Sequence, residues 1–451
     1  MKVIKPLKQG VLYKTFDNDN RSFFVVTVFS FFTFTPPGHL LSEIEMWKLA
    51  AQELGKESIL DLGMPKPRGE VVLTGKFFSP GGQPVPGGKV RIKLGEIDKT
   101  LYVFGNRYWK RGPAGLFKIT EPELVTLMDI SYENGFGGPE FPLNPLGKGI
   151  NPVPVGNGKE LLPLPNVENP ETLITSPKDR PDPAGFAPLD MMWPQRASKA
   201  GTFDEKWLNE RFPGLAEDLD WTYYNTVPAD QQINGFFTGS ESFEIEGMHP
   251  EKQLLTGVLP GVRSRCFVNQ KLNGDPVFKE IKLHPDTVWL FPHVERGIIT
   301  CRGTIEALSD DADDITHLLV AYERLSDVEK PLEHYQKALE KRLDKEKGYL
   351  FSLNEKDLIP PGEKSGFAEL MENDETALLV GEKLLAKNMG KKADLEKEKI
   401  KANFEDAGID PEKSNQGQPA VPLIDFDNME KFSDFIENTQ AEAEKKARKI
   451  L

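Results

Sequence analysis

The stretch "SFFVVTVFSFFTF", residues 22–34, limits this chain more than any other segment. Val, Thr and Phe fill it, and it is apolar on both sides of a period-2 alternation. A membrane-spanning helix needs roughly 20 apolar residues, and a secretory signal puts positive charge before the run and a small-residue cleavage site after it. Here the run follows "KTFDNDNR" and no such site comes after it. It therefore predicts a strand buried on both faces, central in a sheet. No signal directs the chain out by the general secretory route, so the expected compartment is the cytoplasm.

Further strand signals accumulate downstream. In "KVRIKLGEIDKTLYVFG" (89–105), Val90, Ile92 and Leu94 alternate with Arg91 and Lys93, which predicts a hairpin closed by a polar turn. Strands are also predicted at 70–78, 123–132, 262–269, 277–283, 286–291 and 297–306. No regular strand–helix–strand alternation links them, so the expected fold is mainly β, with antiparallel sheets. Between the strands run long Pro/Gly-rich segments, chiefly 136–195. Stretches of this length are either disordered or pinned as functional loops. Turn-forming Asn-Pro and Gly-Pro pairs, with Phe136, Phe141, Leu164 and Phe186 between them, favour pinning. One short helix is predicted in "GTFDEKWLNERF", with Thr202 and Glu205 as a capping box and Trp207, Leu208 and Phe212 as its apolar stripe.

Near residue 326 the composition changes. Of the 126 residues from there to the end, 49 are charged, against 77 of the first 325. That tail is predicted to be an α-helical extension. "PLEHYQKALEKRL" places Leu332, Tyr335, Leu339 and Leu343 at helical spacing behind Pro331, a good first-turn residue. Two more amphipathic segments follow, separated by a linker at about 410–422. Such helices either dock on the body or offer an apolar stripe to a client protein.

Motif chemistry is sparse. "SYENGFGGPEFPLNPLGKGI" (131–150) is rich in glycine, but Lys148 is followed by Gly149 and no helix can begin in "NPVPVGNG", so it is no Walker loop. No G-x-S-x-G elbow occurs anywhere. The simplest reading is a set of turns, with Gly137 and Gly138 reversing the backbone before Pro139. Cys266 and Cys301 are the only two cysteines, too few for a disulfide framework and without metal-ligand spacing, and are expected in the core. His249 with Glu251, His284 with Asp286 and His293 with Glu295 set an imidazole two residues from a carboxylate, on one face of an extended backbone. Such pairs either bond locally at a strand end or serve as a metal or acid/base site. His317, in "DITHLLVAYERL", is read as a packed or capping histidine on a helix, with the acidic pairs at 310–314 before its N-terminus. Calcium is a less favoured reading of those pairs. The net charge of −14 argues against nucleic acid as a partner. No cofactor or metal is implied.

"DLDWTYYNTVPADQQI" (218–233) is harder to read as turns alone. It sets Trp221, Tyr223 and Tyr224 beside Asn225, Asp230, Gln231 and Gln232. Either the amides tie loops to strand edges, or the segment forms a polar, aromatic recognition surface.

Together with "GKFFSPGGQPV", "YENGFGGPEFPLNPLGKG", "PAGFAPLDMMWPQR", "EGMHPE" and "DTVWLFPHVERGIITCRGT", that segment resembles, in order from about residue 70 to 345, a bacterial domain family of unknown function. It is encoded beside type VI secretion spike proteins (VgrG), PAAR or PAAR-like tips and toxic effectors. The resemblance implies an adaptor or chaperone that loads an effector onto the spike, without catalysis. It carries over Gly137, Gly138, Asn144, Gly147, Trp193, Asp230 and Gln231 as signature, with no contact assigned. The expected domains are an adaptor body at 1–325, with a helical insertion at about 38–56, and the extension at 326–451. Partner contacts are expected from Phe136, Asn144 and Trp193, from Trp221, Tyr223, Tyr224, Asp230 and Gln231, and from Leu332, Tyr335 and Leu339. An enzyme using the histidine–carboxylate pairs and a structural part of the injection apparatus are the alternatives.

Overall fold

A computed structural model describes residues 10–16, 21–41, 64–111, 117–150, 161–189, 191, 193–212, 214–272, 274–308 and 315–343. The helical insertion beyond residue 41, the acidic pairs at 310–314, the linker at 410–422 and the later helices of the tail lie outside them. The chain divides into two compact units, Met1–Thr15 with Arg21–Ala200 and Asp220–Leu358, and Phe16–Asn20 with Gly201–Leu219 and Ile359–Leu451.

The first unit is built from sheets. The largest runs β1 (Gly10–Phe16), β2 (Ser22–Thr33), β20 (Arg296–Glu306), β19 (His284–Phe291), β3 (Gly69–Leu73) and β14 (Gln232–Ile233). A five-stranded sheet runs β13 (Val167–Glu168), β6 (Ile97–Phe104), β5 (Gly87–Leu94), β15 (Ser242–Glu246) and β16 (Leu254–Val258). Three strands, β18 (Asp275–Ile281), β17 (Val262–Leu272) and β21 (Ile315–Arg324), form another sheet, and β12 (Leu161–Pro163), β7 (Tyr108–Arg111) and β8 (Phe117–Ile119) a further one. Two small pairs complete it: β4 (Lys76–Phe78) with β9 (Leu127–Asp129), and β10 (Phe136–Gly137) with β11 (Lys148–Gly149). Beyond the β1–β2 edge, pairing is antiparallel except between β19 and β3 and between β10 and β11, and the described residues are mainly β with few helices.

The run at 22–34 lies where its composition demands. β2 pairs with β20 from Phe23↔Glu306 to Thr33↔Arg296 and has β1 on its other side. Val26, Val28 and Phe32 face the main core with Val71, Leu73, Val288 and Leu290, while Phe29 and Phe31 face a second cluster around Trp289 and Phe291. Both faces are covered, which is why no polar residue alternates along the strand.

Four expectations are corrected. "DITHLLVAYERL" is not a helix but β21, paired with β17 from Val262↔Arg324 through Asn269↔His317. Leu318, Val320 and Tyr322 enter the main core while Leu319 and Ala321 enter another cluster. A strand buried on both faces has the same unbroken apolar run as a buried helix. Residues 70–78 form two strands in different sheets, β3 and β4, and the strand predicted at 123–132 shrinks to β9 followed by a turn of 3-10 helix at Tyr132–Asn134. The fourth correction lies in the second unit.

There the helix α2 (Glu205–Glu210) is capped by Asp204, whose Oδ1 accepts from the Trp207 backbone N–H at 2.8 Å. Thr202 instead donates its N–H and hydroxyl to Asp218, each at 2.7 Å. Both residues are good caps, and the one nearer the first turn prevails. Trp207 packs edge-on between Phe203 and Phe212, at 4.9 and 5.6 Å, and donates from Nε1 to Gly214 O at 2.9 Å.

Back in the first unit, α1 (Pro194–Ala197) is a single turn begun by Pro194, and α3 (Leu332–Leu343) opens the charged tail. Tyr335 and Leu339 are buried against Phe267, Leu319 and Ala321, so these two residues of the stripe dock on β17 and β21. Tyr335 stacks on Phe267 at 4.3 Å, and its hydroxyl donates to Glu323, which also pairs with Arg265 at 3.1 Å.

Candidate partner-binding surface

The site grows from a buried polar cluster at the edge strand β14 and its neighbour β3. Glu70, the second residue of β3, is fully buried, and its carboxylate accepts four hydrogen bonds. Oε1 takes Lys66 Nζ and the Thr226 hydroxyl, both at 2.6 Å. Oε2 takes Asn225 Nδ2 at 2.9 Å and the Thr226 backbone N–H at 2.8 Å. Asn225 Nδ2 also donates to Arg68 O at 3.0 Å. A carboxylate this deep persists only when its lone pairs are matched, and this one is bound to an equally buried lysine.

Gln231 forms the second anchor. Its Nε2 donates to Val71 O at 2.8 Å and Phe186 O at 2.9 Å, and its Oε1 accepts from Lys99 Nζ at 2.8 Å. Lys99 also reaches Asp230 Oδ1 at 3.1 Å and lies 5.7 Å above the Phe186 ring. Burial lowers the Lys99 pKa, with Asp230 acting in the opposite direction. Lys99 belongs to β6, on the inward face with Ile97 and Leu101. A charge at an inward position of an alternating strand was the sequence signal for this partner of the loop, and the sequence reading passed over it, as it did Glu70 and Lys66.

With Asn225, Thr226 and Gln231 turned inward, the same segment turns other side chains outward. Trp221–Tyr224 form a 3-10 turn capped by Asp220, whose Oδ1 accepts from the Thr222 N–H at 2.9 Å. Trp221, Tyr223 and Tyr224 are half-buried, with Tyr224 5.3 Å from Tyr223 and 5.8 Å from Trp221 between ring centres. Arg196 braces the turn from α1. Its guanidinium donates to Tyr223 O at 3.0 and 3.2 Å and to Leu189 O at 2.6 Å, and lies 5.3 Å from the Tyr223 ring. Asp230 remains exposed. The outcome is a rigid, amphipathic aromatic patch whose backbone is fixed from below.

The glycine-rich segment 131–150 is organised differently. Asn144 is buried and donates from Nδ2 to Tyr132 O at 2.7 Å and Phe136 O at 3.0 Å. The chain closes on it so tightly that a Cβ on Gly137 would stand 2.2 Å from Asn144 O, and one on Gly147 2.4 Å from its Nδ2. Gly138, before Pro139, adopts φ 153°. Phe136 is buried with Trp109, Leu164 and Ile174, and Trp193 packs edge-on against Tyr132 at 5.1 Å. Phe136, Asn144, Trp193 and Gln231 are thus internal braces in the folded chain, as are Tyr335 and Leu339 under α3, where Leu332 is only partly covered. Trp221, Tyr223, Tyr224 and Asp230 are the residues of the expected contact set that gather on one surface.

The histidines are engaged in turns. His249 Nδ1 accepts from the backbone N–H of Glu251 at 3.1 Å and of Lys252 at 3.0 Å, and its Nε2 lies 3.5 Å from Glu295 Oε1. Burial lowers the His249 pKa, with Glu295 opposing. The Glu295 carboxyl is held below its ordinary range by its bond from Lys252, and it also accepts from the Thr35 hydroxyl at 2.9 Å. His284 stacks on Phe236 at 4.3 Å, and Asp286 binds Arg302. Both cysteines are buried and free. Among the described residues no helix is long and apolar enough to cross a membrane, and no three His, Cys, Asp or Glu side chains converge as metal ligands would.

A family model described as an uncharacterized protein conserved in bacteria, DUF2169, matches residues 19–302, well over half of the chain. The chain belongs to the DUF2169 family. No curated protein and no solved structure matches it. The DUF2169 span holds both long loops and Glu70, Lys99 and Arg196, and it ends within β20, before β21 and α3.

Proposed function

We propose that this chain is a non-enzymatic adaptor that binds a type VI secretion effector, or its PAAR-like tip, and helps to load it onto the VgrG spike. The observation that carries this reading is the division of labour within 218–233. Asn225, Thr226 and Gln231 lock the backbone from inside while Trp221, Tyr223 and Tyr224 stand half-exposed above it. Aromatics held this way lose little freedom on binding, which is the property of an interface hot spot. Asp230 supplies a charged rim beside them. The resemblance of the sequence to type VI adaptors supplies the partner class. Client release requires an interface of modest size, and a small aromatic patch suits that need.

The test is co-expression of this chain with the neighbouring tip and effector proteins, followed by affinity capture and mass analysis. A stoichiometric complex, with the effector insoluble when this chain is omitted, is the expected result. A chain that purifies alone and is indifferent to those neighbours contradicts the proposal.

A further inference from the structure

β16, at one edge of the five-stranded sheet, reads Leu-Leu-Thr-Gly-Val and pairs with β15 from Ser242↔Val258 to Glu246↔Leu254. Just beyond the two ends, Leu259 N donates to Glu241 O and Gly247 N to Gln253 O, both at 2.9 Å. Hydrogen-bonded pairs alternate along an antiparallel ladder. Between those two pairs, Leu255 and Gly257 therefore direct their backbone groups to β15, and Leu254, Thr256 and Val258 direct theirs to the open side. Among the described residues no backbone hydrogen bond reaches β16 from that side. Leu254 and Val258 are large apolar side chains with 53% and 41% of their surface exposed.

We propose that β16 pairs with β16 of a second copy of this chain, antiparallel about a two-fold axis through Thr256. The strand is complementary to itself in that register alone: Thr256 meets Thr256, and Leu254 stands opposite Val258 in both halves, apolar against apolar. Among the described residues each of these three positions has free backbone groups on the open side, so the seam forms about six inter-chain hydrogen bonds. An isologous contact of this kind closes after two copies and does not propagate.

Charge permits the approach. β16 contains no Lys, Glu or Pro, the residues that ordinarily blunt an edge. The charged row beside it is neutralised within its own sheet: Arg91 binds Asp98, Glu244 and Glu246 at 2.5, 3.2 and 3.0 Å, and Lys89 binds Glu246 at 2.6 Å. On the inner side Leu255 is buried, and Gly257 leaves room for the Phe243 ring, whose Cζ would stand 2.2 Å from a Cβ at that position. This pairing goes beyond the adaptor reading and does not depend on it.

Sedimentation of the full chain from low to high micromolar concentration tests it, with Val258→Lys and Thr256→Pro as variants. Thr256 gives its N–H to the open side alone, so proline there removes the seam and leaves the β15 ladder intact. The expected result is a concentration-dependent dimer whose association falls at least tenfold in both variants. A second readout leaves the backbone groups of the edge in place. Thr256→Cys should cross-link to a dimer under mild oxidation much faster than Ser326→Cys, an exposed control, while the buried native cysteines stay silent. A chain that is monomeric throughout, a dimer indifferent to Val258→Lys, or Thr256→Cys cross-linking no faster than the control overturns the proposal. So does a monomer that loses a partner protein on Val258→Lys, which would make β16 the receptor for a foreign strand.

Discussion

Two loops, 131–150 and 218–233, have much the same look in the sequence, each crowded with turn formers, aromatics and amides, yet the fold uses them in opposite ways. In the first, Asn144, Phe136 and the glycines all turn inward, and the loop spends its distinctive residues on holding its own shape. In the second the residues divide, with Asn225, Thr226 and Gln231 bound to the sheet and Trp221, Tyr223 and Tyr224 on the surface. Residues in two such loops can therefore be internal architecture or stand on the surface, and the hydrogen-bond partners tell the two apart. A buried amide whose donors all end on backbone carbonyls is a brace. A half-buried aromatic on a capped, braced turn is a surface prepared for something else.

The comparison breaks most visibly at its foundation. Glu70→Ala leaves Lys66 buried without its carboxylate and unties Asn225 and Thr226, and should cost about 3–5 kcal/mol in denaturant unfolding. A loss below about 1 kcal/mol would mean that the second loop is held by other means. Asn144→Ala should cost about 1–3 kcal/mol, because the Tyr132 and Phe136 carbonyls each lose a side-chain donor. In the variant that still folds, partner affinity should be unchanged, since the Asn144 side chain is buried and touches only its own loop. Trp221→Ala and Tyr224→Ala invert that pattern: affinity in the captured complex falls at least tenfold, about 1.4 kcal/mol or more, while unfolding free energy shifts by less than about 1 kcal/mol. Should Asn144→Ala weaken binding more than Trp221→Ala at equal folded fraction, the roles of the two loops are reversed.

The smallest effect concerns pH. The folded-state pKa of His249 is depressed, so the folded chain binds fewer protons there than the unfolded chain does. Its contribution to stability is complete above the ordinary histidine value and is lost as pH falls through about 6.5 toward the folded value, as Nδ1 takes up a proton and gives up the N–H groups of Glu251 and Lys252. Melting temperature should therefore decline on the acid side, and His249→Asn should remove part of that decline. A rise in stability on acidification would contradict the assignment of Nδ1 as an acceptor.

Much of this fold was legible in the sequence because its strands alternate or run apolar over lengths that only strands take. The hairpin of β5 and β6, the strands β17 to β20 and the buried β2 follow from pattern. β21 did not, because burial on both faces erases the period that separates strand from helix, and Leu318 to Tyr322 face two different clusters. The break between β3 and β4 was equally invisible, since the two halves join different sheets through contacts distant in sequence. Of the surface, the aromatics were visible as residue types. Which amides turn inward was decided by Glu70 and Lys99, more than a hundred residues away, and only the inward position of Lys99 hinted at it.

The most direct test of the central claim is the captured complex itself, made with the wild-type chain, with Trp221→Ala/Tyr224→Ala and with Asn144→Ala, each scored for folded fraction and for bound effector. The account predicts that the aromatic double variant folds normally and loses the effector, while Asn144→Ala loses stability and keeps the effector in proportion to what folds. Full effector recovery by a correctly folded Trp221→Ala/Tyr224→Ala chain would contradict the claim that residues 218–233 form the binding face.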